Sequence, residues 1–481
     1  MKRIYYAVEL QLRSPLAVSS GEDGITDMDI LRNRNGEVFI PGTSIAGAFR
    51  NYLQKNKEED CNFGFSRGEE GRMSSVCISD LYFAEKPVDA VADGEQAQSE
   101  FDKTPVDAVA DGVQPADGGQ VQDKFDKRPV VTIRDGVQLT DGKQVRNKFD
   151  MEIIETGASG ILYFHYVIRE NDRALDADSE TAHLLCGMER GEIRFGGNKT
   201  RGFGKLAVGH IYQAEFDSGH VQEWISFSKK IREISAYPVK KGYEEWLEGH
   251  QADERKYYLI RIPLKLTGGI SIRKYSAEPL KADFEHITCN GEPIIPGTSW
   301  NGAIRADVKE ILQQLGCSPE KSNSIIRQWF GHVELKKKQG MDPREKKKVN
   351  AWQSAVIIEE SIIRNSVPVP MTRNKISRFD ASAVTGALYS EITCCGGETE
   401  LEIMVRKDES RWYYALLAVL ELAVQDICKG YVAVGGQTAI GRGIFSGPSE
   451  GFLDKESRKR GQQELLYLID GKEAERCAMQ I

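Results

Sequence analysis

The chain has 481 residues, 40% of them hydrophobic, and a formal net charge of −8. That length is too great for one ordinary core and predicts two domains with insertions. No apolar run approaches membrane-span length, and Met1-Lys2-Arg3-Ile4-Tyr5 alternates like a strand rather than a signal peptide. The nine cysteines hold no C-x-x-C pair, so neither a disulfide framework nor a zinc knuckle is expected, and the usage suits reduced thiols in a cytoplasm.

Residues 3–13 alternate as a half-buried strand, and 257–266 repeat it. After each comes a loop rich in Gly, Ser and charge. The first loop holds Glu22, Asp23, Asp27 and Asp29; the second holds Glu278, Asp283, Glu285 and His286. Then comes a stretch of sixteen residues, 35–50, that returns at 290–305 with a constant offset of 255 and eleven identities. Each copy reads as an Asn-Gly turn, a short strand, a Pro-Gly stop and a helix. Thr43 or Ser44 is the expected cap, with Ile45, Ala48, Phe49 and Leu53 on one face; Trp300, Ala303, Ile304 and Val308 repeat that face. A glycine turn running into a capped helix leaves N–H groups at the positive end of the helix dipole, which is an anion site. Arg50 and Arg305 would add fixed positive charge there. A purely structural cap is the other reading, and duplication does not separate the two.

The matches continue in the same order. Asn62-Phe63-Gly64 parallels Trp329-Phe330-Gly331, and the strand 76–81 parallels 355–360. Helices at about 178–190 and 412–428 lead into the glycine-rich turns 196–204 and 435–443. Each half therefore reads strand, helix, strand, strand, helix, strand. That order predicts an α+β protein of two tandem ferredoxin-like (RRM-like) domains with helices on one face of each sheet. The first domain is placed at 1–214, a linker at 215–255, the second domain at 256–450 and a helical tail at 451–481.

Residues 86–150 carry a repeat of 24 residues. The stretch 86–126 holds ten Asp or Glu against three Lys, which leaves −1 for the rest of the chain. A basic nucleic-acid-binding face is therefore compatible with the net charge. The last copy, 127–150, reverses sign with Lys127, Arg128, Arg134, Lys143, Arg146 and Lys148 against three Asp. It is expected to be the working β-hairpin, and 86–126 an exposed acidic insertion. Residues 333–350 form a basic loop, the kind of run that is most often merely solvated.

The Ile-Pro-Gly-Thr-Ser-x-x-Gly-Ala-x-Arg stretch, the Phe-Gly step, the strand ending in Ser79-Asp80 and the Gly-Gly-x-x-x-Arg-Gly-Phe-Gly turn together resemble the RAMP superfamily of CRISPR systems. They look most like the backbone subunits of type III effectors, over nearly all of 1–210 and 256–447. Two copies in one chain resemble the double-backbone fusion of type III-D-like systems. The resemblance implies a subunit that binds guide RNA (crRNA) and stacks beside other effector subunits, including RAMP neighbours and a large polymerase-like subunit, with single-stranded target RNA as the second nucleic acid. It implies phosphate contacts at Gly196, Gly197, Lys199, Arg201 and Arg50 in the first half. In the second half they fall at Gly297, Arg305, Gly435, Gly436 and Arg442, although Ala439-Ile440 departs from the expected polar-Arg pair. Thumb hairpins that splay the duplex correspond to 131–150, with Arg134, Lys143, Arg146 and Lys148, and to 371–391, with Arg373, Lys375 and Arg378.

The family's cutting subunits carry a loop aspartate that Asp27 and Asp283 approximate. The resemblance implies an endoribonuclease in which Asp27 and Asp283 hold a divalent cation, Mg or Mn, with Asp23, Asp29 and Glu285 as fallback candidates. Such a site supplies geometry, a base or metal-bound hydroxide, and charge stabilisation, while the substrate's 2′-hydroxyl attacks. His286 is a candidate base, with a surface histidine as the plain alternative. A non-catalytic scaffold and a guide-end-capping subunit of the same complex are the competing functions. No Ser-His-Asp order or Walker loop is present.

Overall fold

The computed structural model describes residues 1–19, 26–53, 62–67, 70–84, 129–139, 145–169, 176–250, 255–275, 282–335, 349–408 and 412–470. The acidic insertion 86–126, Asp23, Lys143 and the basic run 336–348 lie outside the described residues.

Both halves are mixed α+β. Label the four shared strands of each half by chain order. In the first half they are Lys2–Leu12, Val76–Ile78, Ser159–Ile168 and Leu206–Phe216; in the second, Tyr257–Thr267, Val356–Ile358, Glu398–Arg406 and Ile444–Ser446. Both sheets run second, third, first, fourth, with every pair antiparallel. Helices Gly42–Leu53 and Ala177–Glu189 cover one face of the first sheet, where Ile45, Phe49, Leu184 and Leu185 pack on Tyr6, Val8 and Leu10. Gly297–Gln314, Pro319–Phe330 and Tyr413–Cys428 do the same for the second around fully buried Trp300 and Trp329.

The first strand departs from its expected half-burial: both its faces are buried. Tyr5 and Ala7 face a second cluster formed with Phe227 and Tyr237, which come from the segment expected to be a linker. That segment forms the helix Val221–Ser228 and a fifth strand, Val239–Gly242, paired with the sheet edge. The run Ile4-Tyr5-Tyr6-Ala7-Val8 has no polar alternation because neither face meets water. The second half's first strand keeps the alternation, with Ile260, Ile262, Leu264 and Leu266 buried and Arg261, Pro263 and Lys265 exposed.

The tail is a helix, Lys455–Asp470, docked on Tyr413–Cys428. The Glu464 carboxylate accepts from the N–H groups of Tyr414 and Ala415, at 3.1 and 3.2 Å, and so caps the start of that helix.

The halves lock together through groups far apart in sequence. Buried Arg194 pairs with Glu359, and buried Arg134 pairs with Glu360. Lys205 Nζ lies 3.4 Å from Glu402, and Asn290 Nδ2 donates to Thr156 O at 3.0 Å. Between the ion pairs, the glycine turn of the first half abuts the strand end Ile358–Glu360 and the start of the second anchor helix.

Candidate nucleic-acid interface

Each half carries a two-stranded hairpin rooted beside its loop aspartate. In the first half Val131–Leu139 pairs with Val145–Ile154. Asp27 N–H donates to Asp150 Oδ1 at 3.0 Å, and Asp150 N–H donates back to Asp27 Oδ2 at 3.2 Å. In the second half Val367–Arg373 pairs with Tyr389–Cys395. Asp283 N–H donates to Ser390 Oγ at 3.2 Å, while Ser390 N–H and Oγ donate to Asp283 Oδ2 at 2.7 and 3.0 Å. The next residue after each aspartate pairs in parallel with the return strand, Met28 with Met151 and Phe284 with Glu391. Asp27 and Asp283 therefore occupy one position in two copies of one site.

Both aspartates are exposed. The Ser390 backbone N–H and hydroxyl hold the Asp283 carboxyl below the usual range. In each case Oδ2 is engaged by the hairpin, and Oδ1 accepts no hydrogen bond among the described residues. Asp150 is a second carboxylate at the first site that the motif alone did not reveal; its signal was its place at the end of the last 24-residue copy. Asp29 is turned inward on Thr26, whose N–H and hydroxyl donate to its Oδ1 at 3.2 and 2.7 Å. No group of three His, Cys, Asp or Glu is arranged for a metal among the described residues. Asp27 with Asp150 offers hard oxygen donors that fit Mg or Mn only with phosphate and water completing the shell.

His286 is not a surface residue. It is buried, accepts from Ile272 N–H through Nδ1 at 3.2 Å, and places Nε2 at 2.9 Å from Ile294 O. Burial pushes its pKa down. It joins two backbone segments and is not exposed to act as a base.

The expected phosphate contacts divide. Lys199 and Arg201 stand exposed on a single 3₁₀ turn held by left-handed Asn198 and Gly202. Arg50, Arg305, Lys375 and Arg378 are also exposed. Arg146 and Lys148 lie on the return strand of the first hairpin.

Other expectations are corrected. Gly197 N–H donates to Ala17 O at 2.7 Å and Gly436 N–H to Ser271 O at 2.8 Å, so these amides are committed within the protein. Gly196 and Gly435 have positive φ and pack on the same loops. Gly297 is buried, with the carbonyls of Arg201 and Ile358 where a side chain would stand. No side chain caps the second anchor helix, and Asp80 Oδ1, not Thr43 or Ser44, accepts from Gly42 N–H at 2.8 Å. A carboxylate already fills the first anion position.

Three arginines are also withdrawn from the RNA set. Arg134 is buried on Glu360, with Glu155 3.8 Å away. Arg442 is buried, with its guanidinium 3.0 Å from Glu391 and donating to Thr393 Oγ1 at 2.6 Å. Arg373 lies 2.7 Å from the same Glu391, which is 1% exposed, and Arg273 lies 2.8 Å away.

The second hairpin's tip, 374–388, presents Ile376, Phe379 and Leu388 to solvent beside Lys375 and Arg378. Exposed apolar side chains interleaved with cations suit unstacked bases. A groove between the halves, about 1010 Å³, is lined by six glutamates against four cations and suits phosphate poorly.

A model of the RAMP superfamily matches residues 9–207 and 263–446. No curated protein matches the chain. Among the described residues no helix is long and apolar enough to cross a membrane.

Proposed function

The chain belongs to the RAMP superfamily across both of its halves, and from that premise we propose a guide-RNA-binding backbone subunit of a type III CRISPR effector that also cuts bound target RNA. Each half is read as a ferredoxin-like domain with a thumb hairpin; the shared strand order and the hairpin set beside each sheet support that reading. Lys199, Arg201, Arg50 and Arg305 hold guide phosphates as side-chain cations, while the glycine turns shape the loops that carry them. The tip residues Ile376, Phe379 and Leu388 enter the guide–target duplex and bend the target strand. A bent strand brings the 2′-hydroxyl in line with its own phosphate. Asp27 with Asp150, and Asp283, would hold a divalent cation that stabilises charge on the leaving oxygen.

The observation that carries this reading is the repeated aspartate–hairpin clasp. It puts one carboxylate at the root of each thumb, where a bent target would pass. The same clasp favours a second reading, a scaffold in which the aspartates only fix the hairpins. Substitutions separate them. Asp27→Asn and Asp283→Asn keep an acceptor for the hairpin N–H and remove the charge. In the assembled complex with guide and target, each is expected to abolish one cut product and to leave target binding unchanged. Cut products that survive in both variants would exclude cleavage at these aspartates and leave the scaffold.

A further inference from the structure

The two sheets match in order but not in extent, and the difference lies along one edge. In the first half the fourth strand runs Leu206–Phe216, and its last six residues, Ile211–Phe216, pair with Arg3–Val8. In the second half the fourth strand is only Ile444–Ser446, paired with Lys265–Thr267. Gly447 N–H then donates to Cys428 O at 3.0 Å, and Pro448 follows, so the chain leaves the sheet. Among the described residues no strand pairs with this side of Tyr257–Leu264.

The hydrogen bonds say which groups are left open. Leu12 N–H donates to Ala158 O and Leu266 N–H to Gly397 O, at 2.8 and 2.9 Å, which sets Leu266 where the first half has Leu12. Tyr258, Leu259, Arg261 and Pro263 thus take the places of Ile4, Tyr5, Ala7 and Glu9. Leu266 and Lys256 bond toward the third strand, so the alternate residues Leu259, Arg261 and Pro263 turn their backbone groups to the open edge. In the first half Tyr5 and Ala7 face Ala214 and Tyr212 there. Neither Leu259 nor Arg261 has a backbone partner on that side among the described residues. Burial records the same deficit: Ile4 and Tyr5 are 3% exposed, whereas Tyr258 and Leu259 are half-buried and Arg261 is exposed.

Proline would ordinarily bar such an edge from pairing. Pro263, however, falls at the one place where the first half's ladder shifts register, between Val8 and Leu10. A strand following the path of Ile211–Phe216 would lose no bond to it. The floor beneath that path is apolar. Tyr258 lies on Phe452, with its hydroxyl donating to Phe452 O at 3.4 Å. In the first half Asp178 accepts from Gln213 Nε2 at 2.9 Å. Counted from Gly191 and Gly430, which follow the two helices, its place is taken by buried Leu417.

Resting on the reading of the chain as a subunit of a larger complex, we infer that the edge Tyr257–Ile262 receives an extended segment of a different protein as an added strand. The segment spans about six residues, runs antiparallel to Tyr257–Ile262, and is apolar at the positions facing Tyr258, Ile260 and Ile262. It supplies what residues 211–216 supply in the first half.

Hydrogen exchange resolved by residue tests this. In the purified chain the amides of Leu259 and Arg261 are expected to exchange fast while those of Ile260 and Ile262 stay protected. In the complex isolated from its host, Leu259 and Arg261 are expected to slow by on the order of 100-fold. Fast exchange in the complex, or the same protection already in the purified chain, overturns the inference. A photo-crosslinker at position 261 in that complex is expected to join a peptide of another protein. Joining to a second copy, to RNA or to nothing overturns it. Small RNA in the same preparation is measured separately, and its absence counts against guide binding whatever the edge shows.

Discussion

Glu391 shows how one side chain sets the character of a site. Burial pushes its carboxyl up, but Arg273, Arg442 and Arg373 more than offset this and hold it below the usual range. The first half places Met151 and Phe203 where the second has Glu391 and Arg442, and both are buried there. Glu391→Met alone leaves the Arg442 guanidinium buried without its carboxylate and is expected to cost on the order of 3–5 kcal/mol. Glu391→Met with Arg442→Phe copies the apolar pair and is expected to recover most of that loss in urea unfolding. A double variant no more stable than the single would contradict the pairing. His286 gives a pH signature. Its folded pKa lies below the unfolded value of about 6.5, so below that pH the unfolded chain binds the extra proton. Its contribution is complete above pH 6.5 and falls as the pH drops below it. The urea midpoint of the second half should decline on that limb, and His286→Gln should flatten the decline. Neither role was legible in sequence. A histidine in a charged loop looks like a surface residue, and Arg134 looks no different from its hairpin neighbours Arg146 and Lys148. Only the strand register turns Arg134 toward Glu360.

The elements themselves were legible wherever period and punctuation were strong. The strand Tyr257–Thr267 and the helices Ala177–Glu189 and Tyr413–Cys428 fall within a residue or two of their expected bounds. The expected linker was misread because its role depends on Tyr5 and Ala7, more than two hundred residues upstream. The glycine turns were placed correctly, but their amides are turned on the preceding loop, which spacing cannot show. The hairpin tip was read by its cations alone, although its apolar residues are the more distinctive feature. Phe379 is fully exposed, so Phe379→Ala should leave the unfolding midpoint within about 0.5 kcal/mol of the parent. If the ring stacks on a base, target affinity in the assembled complex falls by about 1–3 kcal/mol, roughly 5- to 150-fold. Unchanged affinity would remove the tip from the RNA path.

At the scale of the whole chain, duplication was the clearest signal in the sequence and the docking of the two copies the least visible. The ion pairs that join them link residues 165 and 226 apart, and each uses a charge that the sequence offers equally to RNA. The repeat provides its own control for that docking. Gly202 and Gly441 hold the same place in their turns, with φ of 88° and 80°. Alanine at Gly441 meets open space and costs only left-handed strain, about 1–2 kcal/mol. Alanine at Gly202 bears that strain and also sets its Cβ 2.9 Å from Glu360 N and 3.0 Å from Ile358 O, in backbone that cannot rotate away. The halves must then separate or tilt, which exposes Arg194 and Glu359 to water. Gly202→Ala is therefore expected to enlarge the radius of gyration in solution scattering and to admit protease between the halves, whereas Gly441→Ala does neither. Equal behaviour of the two variants would mean that the first glycine turn does not hold the halves together.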